Sequence, residues 1–207
     1  MQPELCMMPV MRKAKTGDRA AAKAETHERI VSVASRAIRR SGYAGTGVAD
    51  IMKEAGLTHG AFYAHFASRE AMLAEAAQHA CAESAALVAA AAAGSPPGES
   101  LAAMLAAYLS TAHLEQIEAG CPLAALAGET SRQAPDVRRV TTRHVKAMID
   151  LVARELPDWG QPGAHERALV TLATMVGSLV LARAVDEPAL SGALFDAARA
   201  RLGSPVS

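Results

Sequence analysis

The stretch Val48-Ala-Asp-Ile-Met-Lys-Glu-Ala-Gly-Leu-Thr-His-Gly-Ala-Phe-Tyr-Ala-His-Phe66 decides how the rest of the chain is read. Val48, Ile51, Met52 and Ala55 recur at i, i+3, i+4 and i+7, the spacing of one buried helical face. Thr46 or Gly47 stands where the cap of that helix belongs. Gly56-Leu-Thr58 interrupts the pattern, and a second segment from His59 to His65 follows, anchored by Phe62 and Phe66 one turn apart. Two short helices joined by a glycine-containing turn are a helix-turn-helix. Its second helix keeps Thr58, His59, Gly60, Ala61, Tyr63 and His65 for the outward surface. A helix laid against a major groove needs small residues where its backbone nears the duplex and hydrogen-bonding side chains around them. Gly60 and Ala61 meet the first need; Thr58, His59 and Tyr63 meet the second.

Outward from this motif every segment reads as helix. Residues 1–22 lack periodicity and carry Arg12, Lys13, Lys15 and Arg19, which predicts a flexible basic arm. A helix then starts near Glu25, with Ile30, Ala34, Ala37 and Ile38 on one face and Arg29, Arg36, Arg39 and Arg40 off it. Ser41-Gly42 ends it, because glycine accepts the left-handed conformation at a helix C-terminus. Ser68 caps a long helix from Arg69 to Ala92, and Gly94-Ser-Pro-Pro-Gly98 breaks the chain. Further helices are predicted at Ser100–Glu118, after Cys121-Pro122, at Asp136–Leu156, at His165–Val185 and at Leu190–Leu202. No segment alternates as a strand. The fold class is all-α: a DNA-binding domain over 23–68 with the helix-turn-helix, then a larger helical domain over 69–207.

Bulk properties agree. Half of the 207 residues are apolar and only 3% are aromatic, and abundant alanine favours helices over sheets. The net charge is zero, yet residues 1–70 hold 11 Lys/Arg against 7 Asp/Glu, and the remainder 10 against 14. A basic first third suits a polyanionic partner. Three widely spaced cysteines suit a reducing cytoplasm. The longest apolar run, Ala168 to Ala182, is too short for a bilayer span of about 20 residues, so no membrane partner is expected. No nucleotide-binding, nucleophile-elbow or metalloprotease motif occurs, and the seven histidines are scattered. Neither an enzyme, nor a metal, nor a cofactor is expected. A helical scaffold without operator binding is the alternative function.

Residues 25–75 are similar to the DNA-binding domain of the TetR/AcrR regulators. The similarity lies in His27-Glu-Arg-Ile30, Ser41-Gly-Tyr43, Gly56-Leu-Thr-His-Gly-Ala-Phe-Tyr63, His65-Phe66 and Ser68-Arg-Glu-Ala71. The resemblance implies that Thr46 holds a phosphate and that Thr58, His59, Gly60 and Ala61 approach phosphates and base edges. It also implies that Tyr63, His65 and Arg69 grip the backbone, roles suited to hydroxyls, cations and helix N-termini. Ala49 and His59 stand where the family often has basic residues. The resemblance further implies a homodimer through the last two helices, a small-molecule effector, and release of a DNA operator when the effector tilts the long helix 69–92. In the helix His165–Val185, which is apolar almost all round, Ala173 and Gly177 give a face for close helix approach.

Candidate ligand residues come from the middle helices. Tyr108 and His113 fall on neighbouring turns of one predicted helix, and His144 and Met148 lie on a stripe of another; an apolar wall with a few polar handles suits a small-molecule pocket, and equally a helical core. Cys121 stands at a helix start, where the dipole favours a thiolate.

Overall fold

The computed structural model describes residues 16–203. Its elements in chain order are α1 (Thr16–Ser41), α2 (Val48–Glu54), the 3₁₀ turn η1 (His59–Ala64), α3 (Arg69–Ala93), α4 (Ser100–Tyr108), α5 (Thr111–Glu115), α6 (Pro122–Thr130), α7 (Pro135–Glu155), α8 (Ala164–Ala184) and α9 (Pro188–Gly203). There is no strand among the described residues. α3 is the spine: α1 packs on one part of it, and α7 and α4 pack on the rest.

Two cores divide the spine between them. The first gathers Ile30, Ile38, Ile51, Met52, Phe62 and Phe66 around the start of α3, and it also takes in Leu126 of α6 and Val137 and Val140 of α7. The second runs from Val88 and Met104 through Met148 and Val152 to Leu179 and Phe195. The helix-turn-helix head is therefore not an independent bead. Its core is completed by α6 and α7, so a shift of those helices is felt by the head.

The expected arm over 1–22 is partly overturned. α1 already begins at Thr16, and residues 1–15, with Arg12, Lys13 and Lys15, lie outside the described residues. The segment 18–24 is exposed and has nothing to bury, so apolar periodicity gives no signal there. Its run of alanines forms helix through propensity instead. Arg39, placed off the buried face by periodicity, is 3% exposed.

The helix expected over Ser100–Glu118 is also broken. Leu109 leaves helical geometry at φ −95°, ψ 62°. The Ser110 hydroxyl accepts from the His113 N–H at 3.1 Å and starts α5 afresh. A serine inside an apolar helix can compete for backbone groups in this way.

α1 stops at Gly42, whose φ of +73° is open to glycine and strained for other residues. Its N–H donates to the Ile38 carbonyl at 2.8 Å. Immediately above it the Glu129 carboxylate of α6 accepts the Tyr43 N–H at 3.0 Å, and a Cβ on Gly42 would come within 2.2 Å of Glu129 Oε1. Gly42→Ala is expected to lower stability by about 1–3 kcal/mol through left-handed strain, with further loss from displacing Glu129. Urea unfolding followed by circular dichroism measures it.

Candidate functional sites

The N-terminal site is a surface built on two buried anchors and a half-buried histidine. Phe62 and Phe66 are 2% and 3% exposed and stack with ring centroids 5.4 Å apart. His27 of α1 stacks on Phe66 at 4.5 Å, and its Nε2 lies 2.6 Å from Glu75 Oε2 of α3. These contacts bolt η1 between α1 and α3. Thr58, His59, Gly60 and Tyr63 are exposed, Ala61 is half-buried, and Tyr63 at 72% is the most exposed large apolar-bodied side chain of the head. Neither the Thr58 nor the Tyr63 hydroxyl is used in a hydrogen bond within the described chain, and the His59 and Tyr63 rings meet edge to face at 6.5 Å. The segment expected as a helix is a 3₁₀ turn, in which Ala61 N–H donates to the Thr58 carbonyl.

Three expected contacts look different in the structure. Thr46 is buried, and its hydroxyl donates to the Gly42 carbonyl at 2.7 Å, so its side chain closes the loop before α2 instead of facing a phosphate. Arg69 turns back to the same loop, where Nη2 donates to the carbonyls of Tyr43 and Thr46. That guanidinium edge fixes the approach to α2. His65 is half-buried with Nδ1 unpartnered, and burial, the larger effect, together with His27 and Lys23 lowers its pKa. Gly47 takes the cap position of α2.

The C-terminal site follows from the break at Leu109-Ser110. The break folds α5 back so that the His113 ring stands perpendicular to Tyr108, with centroids 4.7 Å apart. His113 Nδ1 lies 2.7 Å from the Tyr108 carbonyl, and Nε2 accepts the Cys121 N–H at 3.0 Å. The two bonds select the neutral tautomer with the proton on Nδ1. Burial, the larger effect, and the nearby Arg183 charge lower the His113 pKa against the pull of the Tyr108 carbonyl. Together these residues line a partly open cavity of about 210 Å³ with Ser84, Leu87, Val88, Ala107 and Gln116. Cys121 stands at the N-cap of α6 as expected, and at 1% exposure it lines this cavity. A larger depression of about 450 Å³ beside Arg138, Arg139 and Arg143 lies open on the surface of α7 and encloses nothing.

Tyr108, His113 and Cys121 are thus brought together, whereas His144 and Met148 are not among the cavity's lining residues. Met148 is fully buried in the second core. His144 is 5% exposed with Nε2 unpartnered, and burial pushes its pKa down to about 4. Two residues were missed from sequence. Arg183 closes the back of the cavity wall, donating to the carbonyls of His113 and Leu114. Arg39 reaches the wall from α1, as described below.

The family comparisons coincide with this division. The profile described as "Bacterial regulatory proteins, tetR family" matches residues 30–76, and "Transcriptional regulator LmrA/YxaF-like, C-terminal domain" matches residues 97–190. The chain belongs to the TetR family. Among curated proteins, the uncharacterized HTH-type transcriptional regulator YerO of Bacillus subtilis is 40% identical over 55 residues. That match covers 27% of this chain and 19% of YerO, so it spans about a fifth of that relative. A TetR transcriptional regulator from Chloroflexus aurantiacus shares the fold with a TM-score of 0.73 and 27% identity, covering 88% of this chain and 94% of that one. The reduced form of Escherichia coli NemR is similar in fold, with a TM-score of 0.71 and 21% identity over 86% and 95% of the two chains. TetR-family membership makes the chain a transcription regulator and not an enzyme.

His144 gives a pH test. The unfolded chain takes up a proton below about pH 6.5, while the folded one resists until about 4. Its contribution is complete above pH 6.5 and is lost as the pH falls through that window, on the order of 2–3 kcal/mol in all. Urea midpoints taken from pH 7 to pH 4.5 should fall less steeply for His144→Leu than for the parent chain.

Proposed function

We propose that this TetR-family regulator is a homodimeric repressor, freed from its operator when a small molecule fills the cavity at Tyr108. The observation that carries the reading is the direct link between that cavity and the DNA-facing head. Arg39 of α1 donates through Nη1 to the Gly120 carbonyl in the cavity wall at 3.2 Å. Its Nη2 donates to Glu83 of α3 at 2.6 Å and to Ser35 Oγ at 3.0 Å. A ligand that displaces Gly120-Cys121 must either drag α1 or break a bond to a buried guanidinium, and leaving such a group unpaired is costly. The effector therefore has unequal affinity for two head positions, as coupling between sites requires. Neighbouring ties run the same way: Arg40 of α1 bonds Glu118 at 2.9 Å, and Glu129 holds the loop after α1.

On the DNA side, Thr58, His59, Gly60, Ala61 and Tyr63 form the reading surface, with Tyr63 and Thr58 offering free hydroxyls to phosphates. Arg69 and Thr46 act at one remove, by setting the loop that carries α2, and His65 supports η1. Such a surface reads one half-site, and two are needed about 34–36 Å apart on one face of the duplex.

The second chain has a place to sit. α8 has a mean hydropathy of 1.4 over an 18-residue window, yet only a third of that window is buried. Leu169, Ala173, Val180 and Leu181 remain exposed, and Gly177 offers close backbone approach with no atom near its missing Cβ. Its other side, Ala168, Leu172, Met175 and Leu179, is spent on the second core. A helix so apolar with one side open fits pairing with α8 and α9 of a second copy, a soluble use of the helix in the cytoplasm.

Three measurements test these points. Tyr63→Ala is expected to weaken binding to DNA from its own upstream region by about tenfold without changing the melting temperature, read by fluorescence anisotropy. Gly177→Glu should turn a dimer into a monomer in analytical ultracentrifugation. Arg39→Lys should keep DNA binding while reducing effector-driven release, since lysine lacks the fork that reaches Gly120, Ser35 and Glu83 together.

A further inference from the structure

Two polar side chains near the cavity have unused hydrogen-bonding capacity. The Tyr108 hydroxyl is enclosed in a residue 2% exposed and has only the Cys121 thiol, a weak partner, beside it, although a buried phenol ordinarily finds a stronger one. Arg183, near the end of α8, donates Nη2 to the His113 carbonyl at 2.7 Å and Nε to that of Leu114 at 3.2 Å, while its buried Nη1 donates to nothing. Burial lowers the Arg183 pKa, and the groups that act against this are Tyr108 and Cys121; no carboxylate takes part. Arginine keeps its proton in proteins. The site thus holds a half-buried positive charge whose hydrogen-bond partners are carbonyls, and an anion placed nearby would stabilise it.

Tyr108 lines the cavity, and Arg183 stands behind its wall at Gly120. Gly120 lies in the cavity wall, and a Cβ there would come 2.9 Å from Arg183 Nη2 and 3.0 Å from His113 Cδ2. With no side chain at that position, the guanidinium stands directly behind the wall. His113, neutral and fixed by its two hydrogen bonds, adds no competing positive charge.

We propose that the cavity takes a small organic carboxylate, its head accepting from Tyr108 and lying in the field of Arg183, its apolar body against Leu87 and Val88. This rests on the reading of the cavity as the effector site. A neutral effector would satisfy Tyr108 and leave Arg183 without a counter-ion. At about 210 Å³ the space is below the usual range for drug-sized ligands, roughly 300–1,000 Å³, so the body is the size of a single ring or short chain.

The test is calorimetric titration of the full chain with benzoate and hexanoate, set against benzamide and hexanamide. The acids should bind saturably and at least about tenfold more tightly than the amides, which is one unit of the usual affinity scale. Tyr108→Phe should erase most of that preference, and Leu87→Trp, which sets an indole at the exposed rim of the cavity, should abolish binding of all four probes. Amides that bind as well as the acids, with both blocked by Leu87→Trp, would overturn the anion assignment and leave the cavity as a ligand site. Acid binding that survives Leu87→Trp would place the anion elsewhere and overturn the proposal. Absence of binding by either acid up to about 10 mM, a level that would reveal even millimolar affinity, would overturn it as well. Release of the chain's own upstream DNA by benzoate, followed in parallel, reports on the effector role separately.

Discussion

A buried guanidinium ties the head of this molecule directly to the wall of its cavity. Arg39 satisfies its nitrogens on three elements at once, the Ser35 turn of its own helix, Glu83 on the spine and the Gly120 carbonyl in the wall of the ligand cavity. Each bond is modest alone. Together they hold the charge in place, because the Arg39 side chain is itself buried and a partial rupture would strand a cation. The head and the body of the protein are therefore registered to each other by a polar joint set between two apolar cores, and rearrangement on one side is not free of consequence on the other.

The joint depends on an interruption. Were α4 to continue through Leu109, His113, five residues on, would project about 140° round a straight rod from Tyr108 and could not meet its ring. Ser110 ends the rod and begins another, so His113 turns back and ties both the Tyr108 carbonyl and the Cys121 N–H. The cavity is the space left inside that fold-back. Its polar lining is a by-product of backbone satisfaction as much as of ligand recognition, and this explains why a glycine, a cysteine and a proline follow one another at 120–122: the first admits Arg183, the second caps α6, and the third occupies its first turn, where a missing N–H costs nothing.

The sequence was legible where period and punctuation agree. The all-α class, the helix-turn-helix, the Ser68 cap and the boundaries of α7, α8 and α9 all follow from apolar spacing, glycine and proline. It was illegible where the deciding force is not periodic burial. The first turns of α1 are helical by alanine propensity and bury nothing, so they resemble a flexible arm. Arg39 sits among other arginines that do face water, and nothing local marks it as the one whose partners lie 44 and 81 positions away. Among the site residues, the exposed set at 58–63 was readable because core anchors and surface residues alternate on a short element. Thr46 and Arg69 lie near that surface, but their side chains serve the loop beside it. Tyr108, His113 and Cys121 converge, although through a bend that the spacing did not announce, while His144 and Met148 proved to be core.

The uncovered strip along α8 carries a quantitative corollary for the cell. On the proposed pairing, a solitary chain has half a reading head and an unshielded oily seam, so the species able to hold an operator is formed by a second-order encounter. Whenever the chain is scarce compared with its own self-association constant, occupancy of the operator climbs with the square of its abundance. A gene under such control would answer to small changes in regulator synthesis with a sharpened, threshold-like response that the geometry of one subunit could never supply.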